Sequence, residues 1–498
     1  MTMEARTIKR REFVGSLAAG AAAMAFPHIV TASAKSRPNV LVIMSDEHDP
    51  AVSGCYGDPI AQTPNLDRLA QSGVVFDSCY TNSPLCVPSR LSFTSGKYSS
   101  RVGAWNNDCW LPADDYPSLP RIMNAAGCES FLAGKMHYDP TRRYGFTELY
   151  PASTNQSQKT GRGGRRQSDD ESVNHESWKN RSSDFRVGDS SNVINHDLLV
   201  TQNCVEFLSR RRKDDKPFFL LAGYLSPHFP LIVPEKYASR YAEKIAMPDI
   251  PAGHLDNLPL NYKHLRMGFG VVDATPQQVK MGRELYWGFV NWFDDQLGQL
   301  LTALEHSGLA QNTLVVYTAD HGENKGDHGL WWKNCMYQAA ARVPLVVRWP
   351  ERWRGGQRRA GVCSLVDAVQ TIADIGGAEV PEDWNGNSLA PWMDNPQTKW
   401  KDCAVSEYYA HNIASGFTML RQGNCKYVYH CRMDENRGPE RELYDLQADP
   451  KEFHNLAAQP GRQKQMDEMH RLLIKEIGRD PEETEQICRA DCARGYAR

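Results

Sequence analysis

The sequence has few of the features that mark disulfide-rich, zinc-binding, nucleic-acid-binding or membrane-spanning proteins. Its 13 cysteines are scattered over 498 residues and none forms a C-x-x-C pair, which argues against a disulfide framework and a zinc ribbon. Cys488 and Cys492 could close a small loop or stay free thiols. The formal net charge of -3 gives no reason to expect a nucleic acid or an anionic membrane as partner. After residue 34, no apolar run reaches the roughly 20 residues of a membrane-spanning helix.

The first 34 residues have the pattern of an export signal. Arg10 and Arg11 precede an apolar segment, residues 14–26, which is too short to span a bilayer and leads to T-A-S-A. Adjacent arginines resemble the twin-arginine type of signal. We therefore predict that residues 1–34 are a twin-arginine-type signal peptide, that the twin-arginine export machinery is a partner, and that the protein is exported to a periplasmic or extracellular location.

Apolar segments alternate with helical patterns over most of the chain. N-V-L-V-I-M-S at residues 39–45 and P-F-F-L-L-A-G-Y at residues 217–224 are typical of strands buried on both faces, as in a parallel sheet. The longest helical pattern covers residues 276–306. This alternation predicts an α/β fold with a large, mainly parallel central sheet flanked by helices.

The composition changes twice along the chain. Residues 151–190 are polar and contain too few apolar side chains for a core, which predicts an insertion or a long loop. After residue 395 the pattern becomes short β segments followed by a helix near residues 462–479. We predict a large domain over residues 35–395 and a smaller C-terminal α+β subdomain over residues 396–498.

Reactive side chains follow four of the predicted strands. A single carboxylate after a strand is usually a helix cap or loop residue, and a lone histidine is usually structural. In open α/β sheets, however, ligands bind at the carboxyl ends of parallel strands, so four such ends on one sheet indicate a site. The candidate residues at these ends are Asp46, Glu47, His48, Lys135, His137, His228, Asp320, His321 and Glu323.

The candidate set combines oxygen ligands with positive charges. The carboxylates of Asp46, Glu47 and Asp320, with one imidazole from His321, suit a hard divalent cation such as Ca²⁺ or Mg²⁺. A cation surrounded by cationic donors suits an anionic group such as sulfate or phosphate, because it neutralises charge that develops during group transfer. The cationic donors in the sequence are Arg90, Lys135 and Lys333, joined by His137 and His228.

The pattern C-x-P-S-R occurs at residues 86–90. It resembles the signature of the formylglycine-dependent sulfatases of the alkaline phosphatase superfamily. The resemblance extends over most of the chain, through T-P-N-L-D-R-L-A-Q-S-G, G-K-M-H, S-P-H, Y-T-A-D-H-G-E, G-L-W-W-K and E-L-Y-D-L-Q-A-D-P-K-E-F-H-N-L-A. Residues 222–241 are similar to choline-sulfatase-like and iduronate-sulfatase-like members. The chain departs from the family at Glu47, where Asp or Gln is common, and at His321, where Asn is common.

The resemblance implies that a maturation enzyme oxidises Cys86 to formylglycine, whose hydrated aldehyde attacks sulfur. It also implies that Arg90 steadies this group and that His137 assists its proton transfers. Lys135 and Lys333 would hold the sulfate oxygens.

The resemblance further implies that His228, with Lys333, protonates the leaving alkoxide. One divalent cation, Ca²⁺ in most members, would complete the site, and Mg²⁺ is the alternative. Its implied ligands are Asp46, Glu47, Cys86, Asp320 and His321.

The sequence thus predicts an exported sulfatase with residues 35–395 as its catalytic domain. Its substrate would be a sulfated carbohydrate or another small organic sulfate. A phosphonate monoester or phosphodiester hydrolase of the same superfamily is the alternative, because its anion cradle is similar. Ligands for only one metal argue against a two-metal phosphatase, and the complete set of candidate residues argues against an inactive sugar-binding homologue.

Overall fold

The computed structural model describes residues 37–150 and 175–494. The predicted signal peptide and residues 151–174 of the predicted insertion lie outside the described residues. Both therefore stay predictions.

Most strands of the described residues belong to one large sheet. In chain order the strands are β1 (Asn39–Asp46), β2 (Val74–Tyr80), β3 (Glu129–Gly134), β4 (Thr147–Tyr150), β5 (Arg186–Val187), β6 (Phe218–Pro227), β7 (Ile232–Val233), β8 (Thr313–Ala319), β9 (Arg342–Arg348), β10 (Gln357–Ser364), β11 (Cys403–Tyr408), β12 (Phe417–Gln422), β13 (Cys425–His430) and β14 (Glu440–Asp445). The large sheet has the order β10-β2-β9-β8-β1-β6-β3-β4. Its pairs are parallel except those that β9 makes with β2 and β8. The predicted mainly parallel sheet is thereby confirmed.

The described residues form fourteen α-helices, many of which cover the two faces of the large sheet. They are α1 (Pro64–Gln71), α2 (Cys86–Ser95), α3 (Ser99–Val102), α4 (Leu119–Ala125), α5 (His175–Ser182), α6 (Asn192–Arg210), α7 (Glu235–Ala238), α8 (Leu260–Gly268), α9 (Pro276–His306), α10 (Gln338–Ala341), α11 (Leu365–Ile375), α12 (Ala390–Asp394), α13 (Gln463–Ile477) and α14 (Pro481–Ala493). No helix of the described residues is long and apolar enough to cross a membrane.

The central strands are apolar on both faces because each face is covered. Successive side chains of a strand point to opposite faces. In β1, Leu41 and Ile43 therefore join the core beneath α6 and α9. Val40 and Val42 join the core beneath α2, α4 and α11.

The longest helix begins and ends where the sequence pattern predicts. The Thr275 side chain accepts a hydrogen bond from the Gln278 backbone N–H, and the Gln278 side chain accepts one from the Thr275 backbone N–H. This capping box gives hydrogen-bond partners to backbone N–H groups at the start of the helix, and Pro276 in the first helical position has no N–H that needs one.

A second sheet follows the large one. β11-β12-β13-β14 are antiparallel, and α13 packs on them through Met466, Met469 and Leu473. The predicted C-terminal α+β subdomain is confirmed, and the predicted boundary at residue 395 lies between α12 and β11. α14 was not predicted. Cys488 and Cys492 lie on it, one turn apart and not joined by a disulfide, with their sulfurs 3.9 Å apart.

The described part of the predicted polar insertion packs on the main core. Residues 175–182 form α5 instead of a loop. Trp178 and Phe185 are only 2% and 5% exposed and belong to the large core cluster. Two aromatic anchors thus dock a segment whose average composition is polar, because a large aromatic side chain buries much apolar area.

Candidate active site

The carboxyl ends of four neighbouring parallel strands meet at one edge of the large sheet. These strands are β8, β1, β6 and β3. Asp46 is the last residue of β1 and Asp320 follows β8. Lys135 follows β3 and His228 follows β6. The structure therefore brings together the strand ends that the sequence singled out.

Close packing of two strands positions Lys135. Its backbone N–H donates to the Gly223 carbonyl of β6 at 2.7 Å. A Cβ on Gly223 would lie 2.0 Å from the Lys135 carbonyl oxygen, so this approach requires glycine. The Lys135 ammonium contacts the Asp46 carboxylate.

Cys86 lies at the first position of α2, at the centre of this edge. Leu85 before it is extended, and the first hydrogen bond of the helix runs from the Ser89 N–H to the Leu85 carbonyl. Pro88 is tolerated because the first turn needs no N–H from it. The Ser89 hydroxyl donates to the Asp320 carbonyl at 2.7 Å and so ties α2 to the end of β8.

Positive groups surround the sulfur of Cys86, which is 2% exposed. Burial alone would raise the pKa of the thiol, but Lys135, Lys333 and His321 outweigh it and hold the pKa well below its usual value. A hydrogen bond from His137 acts in the same direction. This position is therefore built to carry negative charge.

A single buried guanidinium holds two carboxylates. Arg90 is fully buried; its Nε donates to Asp320 at 2.8 Å and its Nη2 donates to Asp46 at 3.1 Å. Its Nη1 donates to the Lys135 carbonyl at 2.7 Å. Arg90 thus orients both carboxylates and the strand end beside them, in addition to the predicted role toward residue 86.

Four buried side chains form a candidate metal centre. Asp46, Cys86, Asp320 and His321 each offer a ligand atom, and these atoms lie within 4.8 Å of one another. The Nδ1 of His321 lies 3.0 Å from the Gly322 carbonyl, which places the ring proton on Nδ1 and leaves the Nε2 lone pair for a cation. Burial opposes protonation of His321, but Asp320 prevails and raises its pKa to about 9, as expected where a cation belongs.

Glu47 lies beside this centre and joins a second group. Its ligand atom clusters with those of Asp46 and His228. Both oxygens of Glu47 are buried without a hydrogen bond; the Lys333 ammonium lies 3.2 Å from one, and the His228 Nε2 lies 3.5 Å from the other. Burial raises the pKa of Glu47 well above its usual value, although Lys333 opposes this. A buried carboxylate that has ion-pair contacts but no hydrogen bond fits a further cation nearby.

Two imidazoles flank the sulfur. His137 and His228 both lie beside the Cys86 side chain. Burial lowers the pKa of each, and Lys333 helps to lower that of His228 to about 4. The His228 Nδ1 lies 2.6 Å from the Phe229 carbonyl, so a neutral His228 carries its proton on Nδ1.

Three further residues lie near the predicted site residues; the sequence pointed to Glu323, after β8, but not to Arg181 or His411. Arg181 comes from α5, and its guanidinium lies 4.4 Å from the ring of Trp332. His411 comes from the second sheet, between β11 and β12. Glu323 accepts hydrogen bonds from the N–H groups of Lys325 and Trp332 and so shapes the loop that carries Lys333. Glu323 ends the quoted Y-T-A-D-H-G-E motif, but no sequence signal marks Arg181 or His411.

Comparisons with known proteins point to one family. A family model described as "Sulfatase" matches residues 38–378, and one described as "N-sulphoglucosamine sulphohydrolase, C-terminal" matches residues 326–479. A choline-sulfatase of Rhizobium meliloti is 28% identical over 445 residues, which cover 85% of this chain and 83% of that protein. An N-acetylglucosamine-6-O-sulfatase of Bacteroides thetaiotaomicron is 25% identical over 522 residues, which cover 91% and 89%.

Solved structures share the fold. A complex with the substrate D-glucosamine-2-N,6-O-disulfate has a TM-score of 0.71 at 23% identity and covers 90% of this chain and 100% of that chain. A phosphonate monoester hydrolase of Agrobacterium radiobacter has the same TM-score and identity, with 89% and 96% covered. The alkaline phosphatase-like architecture is therefore shared by enzymes with different substrates.

Proposed function

Because this chain belongs to the sulfatase family, whose members hydrolyse sulfate esters, we propose that it removes sulfate from a sulfated carbohydrate. The observation that carries the proposal is the position of Cys86. Its sulfur lies 3.3 Å from the Nε2 of His321 and has lysine and histidine side chains around it. The similarity to an N-acetylglucosamine-6-O-sulfatase supports a sugar substrate.

Two groups would complete the site. Formylglycine at residue 86, formed by a maturation enzyme, would supply a hydrated-aldehyde hydroxyl as nucleophile. Asp46, Asp320, His321 and residue 86 would hold one divalent cation, with Glu47 beside them. Ca²⁺ is our proposal because carboxylate oxygens dominate the set, and it would neutralise charge on the sulfate group.

Positively charged side chains would bind the sulfate. Lys135 and Lys333 flank Cys86 and lower its pKa, so their ammonium groups face the place where sulfate oxygens would lie. Arg90 keeps Asp46 and Asp320 in position through its two charge-assisted hydrogen bonds.

Proton transfers would use the two histidines. His137 can take a proton from the hydroxyl at residue 86, because it hydrogen-bonds to that position. A neutral His228 has no proton on Nε2, so it must gain one there before it can protonate the leaving oxygen. A bound sulfate ester adds negative charge near His228 and thereby favours this protonation.

The proposal is tested by an activity screen on the purified protein. Peptide mass spectrometry first establishes how much of Cys86 is converted. The screen then compares sulfated mono- and oligosaccharides, choline sulfate, an aryl sulfate and a phosphonate ester. Faster release of sulfate from a sugar than from the other esters supports the proposal. Preference for choline sulfate or the phosphonate ester contradicts it, as does full activity with unconverted thiol.

A further inference from the structure

A half-buried arginine lies among aromatic rings near the site, where the charges of Glu47, Glu323 and Cys86 act on it. The Arg181 guanidinium carbon lies 4.4 Å from the ring centroids of Phe229 and Trp332 and 5.5 Å from that of Phe269. We call these four residues, together with His411, the Arg181 pocket. They come from α5, from segments that follow β6, α8 and β8, and from the second sheet.

Within residues 37–150 and 175–494, the Arg181 guanidinium makes no hydrogen bond or ion pair. Its recorded contacts are with aromatic rings, which use the face of the guanidinium. Five N–H donors in the guanidinium plane are thus left for another partner. Burial lowers the pKa of Arg181 to about 10, so the group stays charged at neutral pH. Glu47, Glu323 and Cys86 attract Arg181 only from beyond ion-pair distance. A half-buried cation without a paired anion is costly, which indicates that an anion binds here.

The Arg181 pocket adjoins the groups that would bind the sulfate ester. The ring of Phe229 is stacked on His228 at 4.1 Å and lies 5.6 Å from the Lys333 ammonium. Lys333 and Arg181 therefore share one aromatic ring, and their charges are at most about 10 Å apart. Substituents of one sugar or of two linked sugars can span such a distance.

A second polar side chain faces the same space. His411 packs edge-on against Phe269 at 5.7 Å, and Arg181 contacts the same ring. Burial and the charge of Arg181 lower the pKa of His411 to about 4. His411 is therefore a neutral hydrogen-bonding group next to the arginine.

We propose that Arg181, with His411, binds a second anionic group of the substrate next to the ester sulfate. The substrate class is then a sulfated sugar that carries a further carboxylate or a further sulfate. The planar N–H fork of arginine matches the paired oxygens of either group. This inference rests on the proposed sulfatase function and deepens it.

The test compares esters that differ in the second anion. The probes are glucuronic acid 2-sulfate, glucosamine 2-N,6-O-disulfate and galactose 6-sulfate; the last has no second anion. We define the selectivity as kcat/KM for each acidic sugar divided by kcat/KM for galactose 6-sulfate. Arg181→Gln should lower the selectivity about 10- to 100-fold, mainly through KM, because a charge-assisted hydrogen bond is lost. Arg181→Lys should lower it less, since it keeps the charge.

A matched control is Arg211→Gln. Arg211 also stacks on aromatic rings, those of Phe131 and Phe207, but it pairs with Glu129 at the start of β3, the opposite edge of the sheet. This variant should leave the selectivity unchanged. The acidic sugar whose selectivity falls in Arg181→Gln identifies the second anion as carboxylate or sulfate.

Two results would overturn the inference. Both leave the selectivity unchanged in Arg181→Gln: one is an unaltered kcat/KM on all three sugars, and the other is an equal loss of kcat/KM on all three, which would mean a structural role. If the converted wild-type protein hydrolyses no sulfate ester, the proposed function fails separately. In that case, calorimetry measures the binding of the same sugars to Cys86→Ala protein, with and without Arg181→Gln. The inference stands if Arg181→Gln weakens the binding of only the acidic sugars, about 10- to 100-fold, and it falls otherwise.

Discussion

Replacement of Arg90 by methionine should destabilise the protein strongly. One fully buried guanidinium donates to Asp46, to Asp320 and to the Lys135 carbonyl, and both carboxylates are fully buried as well. Methionine fills similar space but leaves two buried charges without their shared partner. Removal of one partner of a buried ion pair costs about 3–5 kcal/mol, so we expect a loss of that size in the free energy of unfolding at pH 7.

Urea unfolding of metal-free protein, in the presence of a chelator, measures this loss. The loss should shrink as the pH falls from 8 to 5, because the stranded carboxylates of the Arg90→Met protein can take up a proton instead. Arg358→Met is the matched control: Arg358 pairs with Asp77 at the surface, where such a pair contributes less than about 1 kcal/mol. A loss at Arg90 as small as at Arg358, or one independent of pH, would refute the reasoning.

Further outcomes can be measured on the same protein. Cys86 should be the one cysteine converted to formylglycine, as peptide mass spectrometry of each cysteine-containing peptide will show. Asp320→Asn should abolish metal binding by calorimetry and turnover together; retained binding would remove Asp320 from the ligand set. His228→Ala should slow a sugar sulfate about 10²–10⁴-fold more than 4-nitrophenyl sulfate, because a nitrophenolate hardly needs a proton; equal losses, with a lowered melting temperature, would make His228 structural. Burial lowers the pKa of His328, which stacks on Tyr337, to about 3, so the unfolded chain binds more protons than the folded one below about pH 6.5. His328 alone should remove up to about 3 kcal/mol of wild-type stability between pH 7 and pH 4, so His328→Phe should lose less than the wild type over this range; equal acid sensitivity would contradict this.

Local sequence determined the elements whose signals lie within a few residues. The capping box of Thr275 and Gln278 marks the start of α9, and apolar runs of strand length mark β1 and β6, because these strands are covered on both faces. The reactive residues after those strands could be recognised too, since any parallel sheet brings the carboxyl ends of its strands to one edge. The C-x-P-S-R motif at residues 86–90 also indicated the protein family. The sequence could not show that β9 runs antiparallel to its neighbours, because an apolar strand pairs in either orientation.

Tertiary structure alone decided how the site is held and what surrounds it. Arg90 reaches two carboxylates only because α2 begins between the ends of β1 and β8. Trp178 anchors α5 to the core, although the polar composition of its segment predicted an insertion or a long loop. Arg181 and His411 meet at the same ring although 230 residues separate them in the chain. Such contacts depend on how whole elements pack, and no local pattern carries that information, because the free energy that fixes them comes from burial shared among distant segments.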